Sequence, residues 1–245
     1  MKRVLQIFLI VILAVQFAHA VENVKALIAE GDSLYHIFDN EAAKAKYLIA
    51  LKEQPGNADI LWRISRTEVD IGEHLAKDAQ EQRFQEALLY ADSSIAVDPS
   101  NQYGHLRRAI ALGRIALFKG VFKSVSLVKQ IKNSLDECLK IDPDEPTAHY
   151  VLARTHAKLC EKPKIARKIL GLGWADRQIA DTEYRKAIEL DSSFIMYRLD
   201  YAKLLLEMGK CDRARIQLMK IEELPIIDED DPDFKIEAEE LLKNL

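Results

Sequence analysis

The sequence predicts an all-α protein built from stacked helical hairpins, an α-solenoid. Among the 245 residues only 9 are glycine and 7 are proline, and the abundant Ala, Leu, Lys and Glu lose little side-chain entropy in a helix. Turn residues recur at Pro55, Pro99, Pro143 and Ser192, in steps of 44, 44 and 49 residues. A repeat period in this range is typical of an array in which each hairpin buries its apolar stripe against its neighbours.

The helices before Pro55, Pro99 and Ser192 carry small or aromatic residues at three- and four-residue spacing, which lets them approach neighbouring helices closely. The matching positions are Ala43, Tyr47 and Ala50, then Ala87, Ala91 and Ser94, then Ala180, Tyr184 and Ala187. This pattern resembles the tetratricopeptide repeat, whose usual unit is about 34 residues. The extra residues must lengthen helices or add a turn, as we expect between Lys162 and Gly173.

The repeats predict about five hairpins and a C-terminal capping helix. The first hairpin covers residues 21–57, with Gly31 at a close helix contact, and the repeat domain spans residues 21–227. Residues 228–245 are expected to form an acidic linker and a closing helix with Asp233 as its N-cap, because a terminal repeat must cover its outer face. The other hairpins are expected to end near Asn101, Glu145, Ser193 and Pro225, and the inward residues of the closing helix to be Phe234, Ala238, Leu241 and Leu242.

Residues 1–20 have the pattern of a secretory signal peptide. Lys2 and Arg3 precede an apolar run that ends at Phe17, and Ala18-His19-Ala20 predicts cleavage before Val21. The alternative is an uncleaved membrane anchor, which needs about 20 apolar residues. Cleavage predicts export, with the periplasm of a Gram-negative bacterium as the expected location.

A second resemblance covers residues 58–245. Segments 61–66, 109–114, 148–154 and 166–169, followed by the tail 224–242, stand in the order found in regulator of microtubule dynamics proteins and their bacterial relatives. The resemblance implies a regulator of the tetratricopeptide type, tethered by its N-terminal segment if that segment is not cleaved. An association with microtubules would not carry over to a protein exported across a bacterial membrane.

No catalytic or cofactor site is indicated. The chain lacks a Gly-x-Ser-x-Gly elbow, and Gly171-Leu-Gly173 lacks the further residues of a nucleotide motif, so we interpret it as a helix C-cap and turn. His149, His156 and Cys160 share one helical face and could supply three metal ligands. They occupy positions where bulky residues pack, however, so packing is the preferred interpretation. We therefore predict no enzyme, no cofactor and no metal.

The three cysteines are Cys138, Cys160 and Cys211, an odd number that leaves at least one thiol outside any intramolecular disulfide. Each lies among apolar residues of a helical pattern, which predicts buried, inert thiols. The sequence is compatible with a disulfide between Cys138 and Cys160.

The predicted function is a non-catalytic scaffold or adaptor that binds a protein or peptide on the concave face formed by the first helix of each hairpin. Aromatic and guanidinium groups are typical of interface hot spots, and the basic residues favour an acidic or C-terminal carboxylate ligand. With a formal net charge of −4, nucleic acid is not an expected partner. The predicted surface consists of Tyr35, Trp62, Arg66, Tyr103, Arg114, Tyr150, Arg154, Lys158 and Lys203, lined further by Ile28, Asp32, Val69, Leu106, Met196 and Leu199.

The alternative for this surface is purely structural. Trp62 and Tyr150 would then pack between hairpins, and the basic residues would pair with Asp59, Asp70 or Glu207. Charge patterning alone does not separate the two interpretations.

Overall fold

A computed structural model describes residues 21–119 and 121–245, without the side chains of residues 121–123. The predicted signal peptide or anchor, residues 1–20, lies outside the described residues. Within those ranges the chain forms helices and no strand, which confirms the all-α, tetratricopeptide-like solenoid. The helices are α1 (21–36), α2 (Asn40–Glu53), α3 (Ala58–Glu73), α4 (Lys77–Val97), α5 (Gln102–Ala116), α6 (Val121–Ile141), α7 (Pro146–Cys160), α8 (Lys164–Ile169), α9 (Arg177–Leu190), α10 (Ile195–Glu207), α11 (Cys211–Glu222) and α12 (Asp231–Lys243).

The chain divides into two compact units at Pro99 and Ser100. Unit 1 contains the hairpins α1–α2 and α3–α4. Unit 2 contains α5–α6, then α7 and α9 with the short α8 between them, then α10–α11 and the capping helix α12. In the described part of the chain, no helix has the length and apolar character that crossing a bilayer requires.

The predicted turns lie between successive hairpins, and side-chain caps fix the helix starts that follow them. The carboxamide oxygen of Asn57 accepts hydrogen bonds from the backbone N–H groups of Asp59 (2.9 Å) and Ile60 (3.2 Å) at the start of α3. Asn101 caps α5 in the same way. These bonds satisfy N–H groups that have no partner within the helix, so each proline-containing turn leads directly into the next hairpin.

Close contact between helices holds unit 1 together, as the small residues predict. Ala43, Tyr47 and Ala50 of α2 are fully buried. A Cβ atom on Gly31 would lie 2.4 Å from Cε1 of Tyr47, so only glycine fits at this point of α1. The predicted close contact at Gly31 is therefore confirmed.

Stacked tyrosine rings fill the core of unit 2. The ring centroids of Tyr150 and Tyr197 are 4.7 Å apart, and those of Tyr184 and Tyr201 are 5.6 Å apart. All four rings are buried. Large aromatic surfaces of this kind contribute much of the apolar burial that stabilises a helical core.

The extra residues of the fourth hairpin form α8 and the turn after it. Leu170 ends α8, and Gly171 follows with φ of +70°. This left-handed conformation costs glycine little and is common after a helix C-terminus. The interpretation of Gly171-Leu-Gly173 as a helix end and turn is confirmed, with Leu170 as the C-cap residue and Gly171 directly after it.

The capping helix α12 begins at Asp231, so the prediction of Asp233 as its N-cap is wrong. Pro232 explains the earlier start, because its fixed φ and missing N–H suit the first turn of a helix. Ala238 is buried against the core of unit 2, and the other three predicted inward residues, Phe234, Leu241 and Leu242, pack beside it.

Candidate partner-binding surface

The three residues predicted for the surface of unit 1 lie together. The guanidinium carbon of Arg66 lies 3.4 Å from the ring centroid of Tyr35 and 5.2 Å from that of Trp62. Stacking of this kind is favourable for a guanidinium group. Trp62 is only 7% exposed, so its ring supports Arg66 from below and offers little surface to a partner.

Arg66 is held by Asp32, an acidic residue that also lines the predicted surface. Nη2 of Arg66 lies 3.5 Å from Oδ1 of Asp32 and donates a hydrogen bond to the Tyr47 hydroxyl (3.2 Å). Nε of Arg63 also donates to Oδ1 of Asp32 (2.9 Å). Burial alone would raise the pKa of Asp32, but Arg63, Tyr47 and Arg66 together lower it. The acid that pairs with Arg66 here is thus Asp32, and Asp59 accepts instead from Nε1 of Trp62 (3.1 Å).

In unit 2, Tyr150, Arg154 and Lys203 meet around Asp200. The hydroxyl of Tyr150 donates to Oδ2 of Asp200 (2.8 Å) and accepts from Nη1 of Arg154 (3.2 Å). Nε of Arg154 lies 3.5 Å from the same Asp200 oxygen. Nζ of Lys203 lies 3.7 Å from Oδ1 of Asp200 and 2.9 Å from Oε1 of Glu237.

These residues differ sharply in exposure. Tyr150 is 3% exposed, whereas the side chain of Arg154 is 48% exposed. Lys158, one turn further along α7, is 68% exposed and lies 2.8 Å from Glu161. A partner can therefore reach Arg154 and Lys158 directly, while Tyr150 acts from within the core. Glu207 pairs with Arg177 (3.5 Å) and not with the residues of the predicted surface.

Tyr103 and Arg114 belong to opposite ends of α5. Both side chains are half-buried. They lie eleven residues apart, about 16 Å along the helix axis, so they do not form one contact point.

Three of the apolar lining residues are in the core, which corrects their predicted place on the surface: Val69, Leu106 and Leu199 are 3%, 1% and 1% exposed.

Comparison with known proteins places this arrangement in a family. A family model described as Regulator of microtubule dynamics protein 1-3 matches residues 27–245, from α1 through α12. The chain belongs to this family. The match confirms the resemblance inferred from the order of the sequence segments.

Individual relatives in the family are distant in sequence. Regulator of microtubule dynamics protein 1 of Mus musculus is 25% identical over 242 residues, which cover 93% of this chain and 76% of the relative. Protein 3 of Rattus norvegicus is 26% identical over 229 residues, covering 90% of this chain and 49% of the relative. The chain thus spans about half the length of the rat protein.

Solved structures with the same fold include a tetratricopeptide protein. The crystal structure of TTC0263, a thermophilic TPR protein of Thermus thermophilus, matches with a TM-score of 0.68 at 20% identity, covering 90% of this chain and 99% of that one. A structure of MamA from Desulfovibrio magneticus matches with a TM-score of 0.51 at 14% identity, covering 82% and 94%. At these identities the likeness establishes the fold of this family member.

The two histidines considered as metal ligands are engaged in packing in this member of the family. Nδ1 of His149 lies 2.6 Å from Oε2 of Glu183, and Nε2 lies 2.9 Å from the carbonyl oxygen of Pro143. Burial lowers the pKa of His149, but these two acceptors raise it overall. Nδ1 of His156 accepts from the backbone N–H of Asp176 (3.0 Å), and burial lowers its pKa. Both histidines are thus held by hydrogen bonds within the fold, and within residues 21–119 and 121–245 no group of three His, Cys, Asp or Glu side chains is placed to hold a metal ion.

The cysteines are free thiols in two different environments. Cys138 and Cys160 are buried as predicted, and no bridge joins them. Burial raises the pKa of the Cys138 thiol to about 12, which keeps it protonated and unreactive. Cys211 is exposed, so the prediction of a buried thiol is wrong there. Cys211 is the first residue of α11, where no preceding turn of the same helix covers it.

Proposed function

We propose that this protein is a non-catalytic interaction scaffold whose unit 2 binds a carboxylate-bearing segment of a partner protein. The observation that carries the proposal is Arg154, whose guanidinium group contacts Tyr150 and Asp200 while its side chain as a whole is 48% exposed. The tetratricopeptide fold and the family name both favour a regulator that binds proteins over an enzyme.

Arg154 is suited to recognition because its position is fixed before a partner arrives. The Tyr150 ring is packed in the core, so its hydroxyl cannot follow the guanidinium group into solvent. An arginine held in this way loses little side-chain entropy on binding. Its planar fork can also form paired hydrogen bonds with a carboxylate.

Lys158 and Lys203 extend the basic surface on either side of Arg154. Each lies beside an acid, Glu161 or Glu237, so the surface is alternately charged and not uniformly basic. Such a surface favours a partner whose acidic groups match individual positions over one that is merely negative. The ligand class that fits best is a peptide segment with a terminal carboxylate or spaced acidic side chains.

Unit 1 has a different role in this proposal. The side chain of Arg66 is 13% exposed and already engaged by Asp32 and Tyr47. Arg154 makes equivalent contacts with Tyr150 and Asp200, but its side chain is 48% exposed, so the two arginines differ in access and not in how they are held. We therefore assign Arg66, Tyr35 and Trp62 to stabilising α1 against α3, and the direct contact to Arg154, Lys158 and Lys203.

Charge reversal tests the proposal. The double variant R154E/K158E is expected to weaken partner binding at least tenfold, because it replaces two attractive contacts by repulsive ones. The partner is captured from envelope extract with the wild-type chain, and binding of its acidic segment is then measured by titration as a synthetic peptide.

The matched control is K140E/K243E, which changes the net charge equally at two lysines that are each 73% exposed and lie beside acids. It is expected to bind like the wild type. Equal affinity of R154E/K158E, or equal weakening in both double variants, would reject the assigned surface.

We further propose export, with the periplasm as the location, from the signal-peptide pattern of residues 1–20. N-terminal sequencing of the protein isolated from cells is expected to find Val21 first. A chain that retains Met1 in the membrane fraction would support the membrane-tethered regulator instead.

The family name favours a second candidate, a tethered regulator related to microtubule dynamics. Sedimentation of the chain with purified microtubules would support it. If the chain does not sediment with microtubules and its mature N-terminus is Val21, the second candidate is rejected and the exported scaffold is supported.

A further inference from the structure

The short helix α8 presents a pair of apolar side chains to solvent. Ile165 and Ile169 are 75% and 80% exposed, more than any other large apolar side chain in the described part of the chain. Residues four apart lie on one face of a helix, so the two form a continuous apolar patch. This patch adds nothing to the core, although it lies in the very segment that makes the fourth repeat longer.

A buried arginine holds the segment that carries the patch in place. Arg167 is 8% exposed, and its guanidinium group donates to the carbonyl oxygen of Lys162 (3.2 Å) and to that of Ala175. One buried side chain therefore ties together both ends of residues 162–175. Leu172 and Ala175 are buried in the same segment, which fixes α8 with its isoleucines directed outward.

Exposed lysines accompany the patch in a segment that lies between Glu161 and Asp176. Residues 162–175 contain four basic residues and no acidic one, in a chain whose net charge is −4. Lys162, Lys164 and Lys168 are all exposed. Lys129 of α6 adds a further cation, since its Nζ would lie 3.3 Å from a Cβ placed on Gly171.

We propose that α8 docks this protein onto an anionic lipid surface. Exposed isoleucines flanked by lysines match what interfacial helices carry, an apolar face that enters the acyl-chain boundary beside cations that meet lipid phosphates. Lysine side chains can keep their ammonium groups at the phosphates while their stems follow the apolar face. A second copy of this acidic chain would also attract the lysines, but a lipid surface offers both partners at once, phosphates for the lysines and an acyl-chain boundary for the isoleucines.

Vesicle flotation of the full chain tests the proposal. Binding is expected to vesicles that contain phosphatidylglycerol, to be much weaker to phosphatidylcholine alone, and to fall with added salt. K164Q/K168Q is expected to lower the partition coefficient about 25-fold, at roughly fivefold per lysine. I165S/I169S is expected to lower it about tenfold through lost apolar burial. The control L89S/I216S removes two apolar side chains that are 66% and 52% exposed and is expected to bind like the wild type.

A crosslinking measurement separates α8 from any binding by residues 1–20. Benzophenone is placed by Ile165→p-benzoylphenylalanine and, as a control, by Leu89→p-benzoylphenylalanine, and the chain is irradiated on phosphatidylglycerol vesicles. Lipid adducts at position 165 and not at 89 would support the proposal. Equal partition of the wild type and both α8 double variants, or no lipid adduct at 165, would overturn it. Adducts at 165 only to an added envelope protein would overturn it too, in favour of a protein partner.

Discussion

Replacing Glu68 by glutamine is expected to lower the free energy of unfolding by about 3 kcal/mol, the low end of the cost of breaking a buried ion pair. The Glu68 side chain is 2% exposed, with Nζ of Lys44 2.8 Å from Oε1 and Nη1 of Arg83 3.0 Å from Oε2. Glu68 thus joins α3 to both α2 and α4. Glutamine keeps the shape but leaves two cations at a site without a negative charge.

The same cations provide the control. Glu41 lies 4.0 Å from Lys44 and 3.9 Å from Arg83, but it is 64% exposed. Because exposed pairs contribute little, Glu41→Gln is expected to cost less than about 0.5 kcal/mol. Urea unfolding is followed by Trp62 fluorescence in a Trp174→Phe background, where Trp62 is the only tryptophan and reports on unit 1. Similar losses in the two variants would show that burial of Glu68 is unimportant.

The helices and their pairing could be predicted because local sequence determines them. Turn residues at a regular spacing set the hairpin ends, and small residues such as Ala43 and Ala187 marked the faces where helices approach closely. Both signals concern residues that meet neighbours in the same or the next hairpin. The capping helix was predicted from its apolar spacing, and only its first turn was misplaced because Pro232 moved it.

The acidic residues that organise the candidate surface could not be predicted in the same way. Acids and bases that alternate along a helix usually indicate a solvated face, yet Glu68 and Asp181 are buried. Two partners of Asp200, Tyr150 and Arg154, come from a helix about fifty residues earlier, a distance at which charge patterning carries no information. The sequence does contain one indication that Asp181 is buried. Asp181 follows Ala180 and lies three residues before Tyr184, on the helix face that the repeat pattern predicts to be packed.

A tyrosine, an aspartate and an arginine recur as a group at three places in the fold. Each group joins a buried tyrosine hydroxyl to a carboxylate that an arginine neutralises: Tyr47 with Asp32 and Arg63, Tyr150 with Asp200 and Arg154, and Tyr201 with Asp181 and Arg213. A hydroxyl inside a helical core needs an acceptor, and the charge of that acceptor needs a cation. In the group that the proposed binding surface uses, the side chain of Arg154 is 48% exposed beside the buried Tyr150. Arg213 beside Tyr201 is similarly exposed, at 42%, and Arg63 is 18% exposed.

The second large loss of stability is expected when the group around Asp181 is changed. Asp181 of α9 accepts from the Tyr201 hydroxyl of α10, and its carboxylate lies 2.8 Å from Nη2 of Arg213 and 3.3 Å from Nζ of Lys210. Burial would raise the pKa of Asp181, but the hydrogen bonds from Arg213, Tyr201 and Lys210 lower it to about 2. Asp181→Asn is expected to lower the free energy of unfolding by about 2 kcal/mol at pH 7.

The pH dependence distinguishes charge from shape as the cause. Because the folded-state pKa of Asp181 lies below the ordinary value of 3.8 for an aspartate, the stabilisation by Asp181 is complete above pH 3.8 and is lost as pH falls through about 2. The difference between wild type and Asp181→Asn should therefore shrink between pH 5 and pH 3, measured by urea unfolding with Trp174 as reporter in a Trp62→Phe background. Asp136→Asn, at a 50% exposed acid 2.6 Å from Lys132, should cost less than about 1 kcal/mol at pH 7. A loss for Asp181→Asn that stays constant with pH would mean that asparagine disturbs the packing of α9 against α10 and α11, and that the carboxylate charge does not hold them together.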